Sequence, residues 1–179
     1  LDLSGFMLNK NDMSLRLGDK SGVRFKAAVN PAAKENSKDF ELREYGFIIG
    51  LESTLVNKGE QLNFDASNYV SGAAYVKGEK NIVFDNTDDL SHIIAGVLYN
   101  IPDTAYGETI VSKTYSKLVV NGTEYIVYGE PVCANVYEIA LYYNGEDLSE
   151  EAMKEIQNII DKATDMSPDL GFDAGVLYE

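Results

Sequence analysis

The first two-thirds of the chain consists of short runs of alternating apolar and polar residues, separated by turn residues. Residues 13–17 and 23–27 flank the turn at 18–22, and in each run the apolar side chains share one face. Such alternation over about four to eight residues is typical of a half-buried strand. The more continuous apolar run at 44–50 indicates a strand in the middle of a sheet. Residues 3–8 fit a first, weak strand, and the whole pattern predicts a mainly β fold.

The clearest local signal is the dipeptide Asn121-Gly122 between two β-prone runs. A two-residue hairpin turn needs a positive φ at both positions, and Asn and Gly tolerate it best. A hairpin with this turn pairs Leu118 with Tyr125 on one face. The sequence therefore predicts two adjacent antiparallel strands, with their register fixed by the turn.

Three residues on the other face of this hairpin, Tyr115, Tyr128 and Lys117, form the candidate ligand site. The turn places Tyr115 opposite Tyr128, on the face that also carries Lys117 and Glu124. Since charges mark the wetter face, we expect both tyrosines to lie on an accessible surface. A tyrosine ring with its hydroxyl suits recognition of a sugar or a protein. Packing within half-buried strands is the alternative, and a slip of one residue would exchange the two faces.

From Asp147 onward the pattern changes to a helical period. Asp147 or Ser149 can cap a helix, and acidic residues fill the first turn, which the helix dipole favours. These features predict a C-terminal helix over about residues 148–164, whose apolar stripe packs on the β structure. The stripe consists of Met153, Ile156, Ile160 and Ala163.

Many short strands without alternating helices favour an antiparallel arrangement. We expect residues 1–164 to form a single antiparallel β-sandwich, Ig-like or jelly-roll-like, with a C-terminal α-helix. Residues 165–179 are predicted to be a tail or a linker to neighbouring domains of the same chain. The chain begins at Leu1 rather than Met, so we expect a processed or excised piece.

Charge limits the possible partners. The chain has 29 acidic and 15 basic residues, which gives a net charge of −14. Nucleic acid and anionic membrane surfaces are polyanionic, so an acidic chain without a basic stripe is a poor partner for either. No apolar run reaches the roughly 18 residues of a membrane span. We therefore predict no nucleic acid partner and no membrane insertion.

The sequence offers little for catalysis. His92 is the only histidine and Cys133 the only cysteine, and neither lies in a nucleophile motif. Conventional zinc sites need several such ligands. Cys133 lies in the apolar run 131–134, where we expect a buried thiol. Paired carboxylates could hydrolyse a glycoside, but the chain has no tryptophan to stack a sugar. The prediction is that the protein is not an enzyme, and a glycoside hydrolase is the least favoured reading.

An acidic segment is the one candidate metal site, and we expect no other cofactor. Carboxylate and amide oxygens are the ligands that calcium prefers, and secreted β-sandwiches often carry a structural calcium ion. The spacing is not that of an EF-hand, and a solvated acidic turn is the alternative. The candidate ligands are Asp85, Asn86, Asp88 and Asp89.

Several short motifs resemble a known module. They are Ser-Leu-Arg-Leu at 14–17, Ser-Gly-Val-Arg-Phe-Lys-Ala at 21–27, Glu-Tyr-Gly-Phe-Ile-Ile at 44–49 and Val-Leu-Tyr-Asn-Ile-Pro at 97–102. Their order and spacing resemble a non-catalytic β-sandwich module of clostridial (Firmicutes) secreted and cell-surface multidomain proteins. The resemblance spans roughly residues 13–164 and implies an extracellular or cell-surface location without catalysis. It assigns no site residues.

Two functional hypotheses follow. The first is a non-catalytic extracellular module that binds a glycan or a cell-surface protein, which the excess of tyrosine and the resemblance favour. The second is a structural spacer or assembly module of a larger surface protein. A row of exposed tyrosines over a concave surface would favour binding, and its absence would favour the spacer.

Overall fold

Two antiparallel sheets of five strands each dominate the fold. The computed structural model describes residues 2–6, 8–29, 40–79, 84–85, 92–163 and 174–178. The predicted mainly β class with antiparallel pairing is confirmed. Among the described helices, none combines the length and the apolar character that a membrane span requires.

Within the described residues, the chain forms mainly strands, together with three α-helices. The strands are β1 (Asn9–Arg16), β2 (Gly22–Val29), β3 (Phe40–Leu51), β4 (Val70–Val76), β5 (Phe84–Asp85), β6 (His92–Tyr99), β7 (Ile110–Val120), β8 (Thr123–Tyr128), β9 (Val132–Ala134) and β10 (Gly175–Tyr178). The α-helices are α1 (Glu52–Lys58), α2 (Val136–Leu141) and α3 (Glu150–Lys162), and 3-10 turns span Ser4–Phe6 and Asp103–Ala105.

The two sheets share one main hydrophobic core. The first sheet has the order β1-β2-β6-β10 with β5 also paired to β6, and the second has the order β4-β3-β7-β8 with β9 also paired to β7. Val23, Phe25 and Ala27 of β2 are buried, as their alternation predicts. The ring of Phe25 lies 5.8 Å, centroid to centroid, from that of Phe47 on β3. Side chains of both sheets therefore meet in the same core.

The hairpin of β7 and β8 has the predicted register. Asn121 and Gly122 have φ values of 50° and 81°, as this two-residue turn requires. Leu118 lies opposite Tyr125, and Tyr115 lies opposite Tyr128. Local turn chemistry is sufficient to fix this pairing.

A second, smaller core covers the outer face of the second sheet. The sequence pattern left residues 51–68 unassigned; Leu51 ends β3, and residues 52–68 form α1 and the segment that follows it. Leu55 and Leu62 from this region pack on Ile48, Val111 and Tyr115. As a result, β7 is buried on both of its faces.

The N-terminal residues differ from the predicted weak strand. Ser4–Phe6 is a 3-10 turn. The hydroxyl of Ser116 donates to the carbonyl oxygen of Phe6 at 2.8 Å, and that of Thr114 donates to the carbonyl oxygen of Leu8 at 3.3 Å. Since buried hydroxyls of β7 satisfy these carbonyls, neither of them depends on a strand partner.

The predicted helix and tail differ from the structure in part. Helix α3 has Ser149 as its N-cap, and the Ser149 hydroxyl accepts from the amide of Ala152 at 3.2 Å. Ile156 and Ala163 of the predicted stripe are buried, but Ala152 and Ile159 are buried as well and Met153 is 42% exposed, so the buried face is shifted in part from the predicted one. Helix α3 is not the last element, because Gly175–Tyr178 pairs with β6 as β10. This part of the predicted tail belongs to the sheet.

Cys133 is exposed rather than buried. It lies on the short strand β9, between the half-buried Val132 and Ala134. The alternation of side chains along a strand directs it to the opposite side from these two neighbours. The expectation of a buried thiol was therefore wrong.

Candidate functional site

The structure brings the residues of the predicted tyrosine site together, but they do not form an open surface. Tyr115 is 1% exposed, and the edge of its ring packs against Phe64 with centroids 4.8 Å apart. Its hydroxyl donates to Oε1 of Glu44 at 2.5 Å. The expectation that Tyr115 is accessible was wrong, because residues 59–69 cover this face of the sheet.

Lys117 and Tyr128 hold the covering segment in place. Lys117 Nζ lies 3.3 Å from Oε1 of Glu44 and 4.4 Å from the centre of the Phe64 ring. The Tyr128 hydroxyl accepts a hydrogen bond from the backbone amide of Phe64 at 3.0 Å. These contacts anchor Phe64, so the three predicted site residues stabilise the fold around it. Phe64 was missed because residues 51–68 have neither helical nor strand periodicity.

Two tyrosines, the buried Tyr115 and the partly buried Tyr178, make stability depend on pH in the alkaline range. Burial, reinforced by the hydrogen bond to Glu44, raises the pKa of Tyr115 well above its ordinary value. Burial also raises the pKa of Tyr178. In the unfolded chain both tyrosine hydroxyls ionise at about pH 10. Above that pH the unfolded state therefore holds fewer protons than the folded state, and folding is destabilised as the pH rises.

We expect the free energy of unfolding to fall by about 1.4 kcal/mol per pH unit for each of these tyrosines above about pH 10. Urea denaturation at several values between about pH 9 and about pH 11 measures this slope. Tyr115→Phe removes one of the two groups and should make the slope shallower. An unchanged slope in this variant would contradict the assignment of Tyr115.

The predicted calcium ligands cannot be placed as a group. Asp85 is the last residue of β5, and its backbone pairs with His92. Asn86, Asp88 and Asp89 lie outside the described residues. Within the described part of the chain, no group of three or more His, Cys, Asp or Glu side chains could hold a metal ion. Calcium at residues 85–89 stays a prediction.

A groove of about 940 Å3 lies between the hairpin of β1 and β2 and the connection from α2 to α3. The sequence pattern gave no indication of it. Its strand wall consists of Met13, Ser14, Leu15, Arg16, Leu17, Arg24 and Lys26, and its opposite wall of Ile139, Tyr142, Tyr143, Asn144, Gly145, Glu146 and Asp147. One wall therefore comes from the β1–β2 hairpin and the other from α2 and the segment that follows it.

The strand wall places three basic residues on the outward side of β1 and β2. Ser14 lies opposite Arg24 in the register, and Lys26 is exposed two residues further along. Nη1 of Arg16 donates to the carbonyl oxygens of Asp19 and Lys20 at 2.6 and 2.9 Å. Because these carbonyls belong to the β1–β2 turn, the Arg16 guanidinium is held in a fixed orientation at one end of the wall.

The opposite wall presents aromatic and amide groups. Tyr142 follows the last residue of α2, and its side chain is 77% exposed. Tyr143 is partly buried against the main core. A Cβ atom at position 145 would lie 2.3 Å from the Tyr143 hydroxyl oxygen, so Gly145 leaves the space that this ring needs. The far end is fixed by Asp147, whose Oδ1 accepts from the amide of Ser149 at 3.0 Å.

A smaller pocket of about 350 Å3 adjoins the groove across Leu15. It is lined by the β1–β2 turn, by Asn100 and by Tyr106, among others. Lys20 and Asn100 adopt positive φ values of 51° and 57°, which non-glycine residues rarely do. The amide of Gly18 donates to Oε2 of Glu155 at 3.1 Å, which ties this turn to α3. The pocket thus extends the concave surface along the same end of the fold.

Asp147 in the groove lining has a pKa below its ordinary value, because hydrogen bonds with the backbone and side chain of Ser149 favour the charged carboxylate. Cys133 lies outside the groove lining, and desolvation by neighbouring atoms, together with the negative charge of Glu52, raises the pKa of this exposed thiol. A raised pKa keeps the thiol protonated and weakens it as a nucleophile. The groove lining offers hydrogen-bonding, charged and aromatic groups.

Comparison with known proteins leaves the functional argument to this geometry. No protein-family model, no curated protein and no solved structure matches the chain.

Proposed function

We propose that the protein is a non-catalytic, extracellular β-sandwich module that binds a glycan in the groove between the β1–β2 hairpin and the α2–α3 connection. The core shared by the two sheets supports the sandwich. The observation that carries the binding function is the 77% exposed side chain of Tyr142 on the wall of an open groove of about 940 Å3. The motif resemblance to clostridial surface modules supports the extracellular location.

The chemistry of the walls suits a sugar chain. A pyranose has apolar C–H faces that pack on an aromatic ring and a rim of hydroxyl groups that need donors and acceptors. Tyr142 offers the ring, and Ser14 and Asn144 offer hydroxyl and amide groups. Exposed aromatic side chains beside adaptable polar groups are typical of recognition surfaces. The groove volume of about 940 Å3 leaves room for several units of a polysaccharide.

We expect Tyr142→Ala to weaken polysaccharide binding by about tenfold, because a central aromatic contact commonly dominates such a surface. Affinity electrophoresis in gels that contain plant or bacterial wall polysaccharides measures the change. Tyr125→Ala is the matched control, since Tyr125 is also exposed but lies on β8 outside the groove. Equal retention of both variants and the parent protein would show that the groove is not the glycan site.

Absence of retention on every polysaccharide would favour the second candidate, a structural spacer or assembly module. The supporting observation is β8, which lies at the edge of its sheet with the side chains of residues 123–126 exposed. An exposed edge strand has unpaired backbone groups that can pair with another chain or a neighbouring domain.

A further inference from the structure

We infer that the glycan bound in this groove is an acidic polysaccharide, recognised by Arg24 and Lys26 on the strand wall while Tyr142 contacts its sugar rings. This inference rests on the proposed function and adds the chemical class of the ligand. It follows from the juxtaposition of a basic strand wall and an aromatic wall across one groove.

The charges of the strand wall are opposite to those of the chain. The chain carries 29 acidic and 15 basic residues, yet the charged residues that line this wall are all basic, namely Arg16, Arg24 and Lys26. The opposite wall contributes Glu146 and Asp147, and Asp147 is engaged with the amide of Ser149. An anion that lies along β1 and β2 in the groove would therefore lie beside Arg16, Arg24 and Lys26, although Asp12 on β1 lies opposite Lys26.

Lys26 is the cation most available to a ligand. Its side chain is exposed, and no described carboxylate lies within ion-pair distance of its Nζ. Asp12 is its neighbour across the strands, but the two side chains do not form an ion pair. Arg16 plays a different part, because the carbonyls of Asp19 and Lys20 fix its guanidinium. Lys26, which has no ion-pair partner among the described residues, beside an arginine held in a fixed orientation is an arrangement that an anionic chain would complete.

General attraction cannot explain binding of a polyanion by this protein. At a net charge of −14 the chain repels polyanions as a whole. Screening limits that repulsion to about 10 Å at 0.1 M salt, so local contacts decide the outcome at the groove. Preference for an acidic ligand over its neutral counterpart is therefore a specific test of the basic wall.

The experiment compares ligands that differ only in charge. Polygalacturonate is compared with its methyl ester, and dextran sulfate with dextran, by isothermal titration calorimetry on the folded protein. We expect at least about fivefold tighter binding of an acidic polymer than of its neutral counterpart. Preference for polygalacturonate alone would identify carboxylate as the recognised group. Preference for both acidic polymers would identify negative charge of either kind.

A charge variant tests the residue assignment. We expect Lys26→Gln to weaken binding of the acidic polymer about three- to fivefold, the effect of losing one exposed ion pair, and to leave the neutral polymer unchanged. Lys154→Gln is the control, because Lys154 is also exposed to solvent but lies on α3 outside the groove lining, where it pairs with Glu150. Equal unfolding midpoints for the two variants show that the effect is on binding.

Two outcomes separate this inference from the proposed function. Equal binding of acidic and neutral polymers that still depends on Tyr142 would overturn the acidic preference and leave glycan binding intact. Absence of binding to any polysaccharide would overturn both. Loss of binding to the acidic polymer in Lys154→Gln to the same degree as in Lys26→Gln would also overturn the assignment to the groove.

Discussion

Tyr115→Ala is expected to lower the free energy of unfolding by about 3–5 kcal/mol, the usual cost of truncating a buried aromatic residue. The side chain is 1% exposed, and its ring packs edge-on against Phe64. Truncation would leave a cavity beneath the segment 59–69. It would also remove the Tyr115 hydroxyl, which donates a hydrogen bond to Oε1 of Glu44 at 2.5 Å. Urea denaturation followed by circular dichroism measures the change.

Two variants separate packing from surface effects. Tyr115→Phe keeps the ring and removes only the hydroxyl, so we expect a loss of about 1–2 kcal/mol. Tyr142→Ala removes an exposed tyrosine, and its stability should stay within about 0.5 kcal/mol of the parent protein. If Tyr115→Ala were as mild as Tyr142→Ala, Tyr115 would not be part of the second core.

Tyr178→Ala is the other substitution with a large expected effect, about 2–4 kcal/mol. The ring stacks on Phe47 with centroids 6.4 Å apart, and the hydroxyl donates to the carbonyl oxygen of Gly72. A Cβ atom at Gly72 or Gly96 would lie 2.7 or 3.0 Å from atoms of this ring. The ring thus occupies space that two glycines leave open, one from each sheet. Its loss leaves a cavity at the junction of β10 with β4.

The same denaturation experiment measures this effect. Tyr178→Phe preserves the ring and should cost about 1 kcal/mol for the lost hydrogen bond. A loss below about 1 kcal/mol in Tyr178→Ala would mean that residues 174–178 do not pack as a strand of the first sheet. In that case the prediction of a tail would be restored for this segment.

Features that depend on neighbouring residues could be predicted from the sequence, and features that depend on distant residues could not. The register of β7 and β8 follows from Asn121-Gly122 alone. The burial of Val23 and Phe25 follows from alternation. The burial of Tyr115 depends on Phe64, which is 51 residues away in the chain and lies in a segment without periodicity.

The groove was beyond prediction for the same reason. Its walls come from residues 13–26 and 139–147, and nothing local in either segment reveals that the two face one another. In the sequence, Lys26 is only one polar position of an alternating strand, and Tyr142 is one of twelve tyrosines. The two residues line the same groove only because α2 packs next to β1. The strand at 175–178 is short, and an apolar run of four residues is a weak signal without its partner.

The position of β10 has a consequence for how the protein acquires its structure. Gly175 pairs with Tyr99, so the contact joins residues that are 76 positions apart (175 − 99). Pairing across such a separation forms slowly, because the entropy of closing the loop is lost before the contact stabilises it. During synthesis, β6 emerges from the ribosome long before β10 and presents an open edge to other chains. Chaperones that shield this edge would therefore matter most in the interval before residues 175–178 are made.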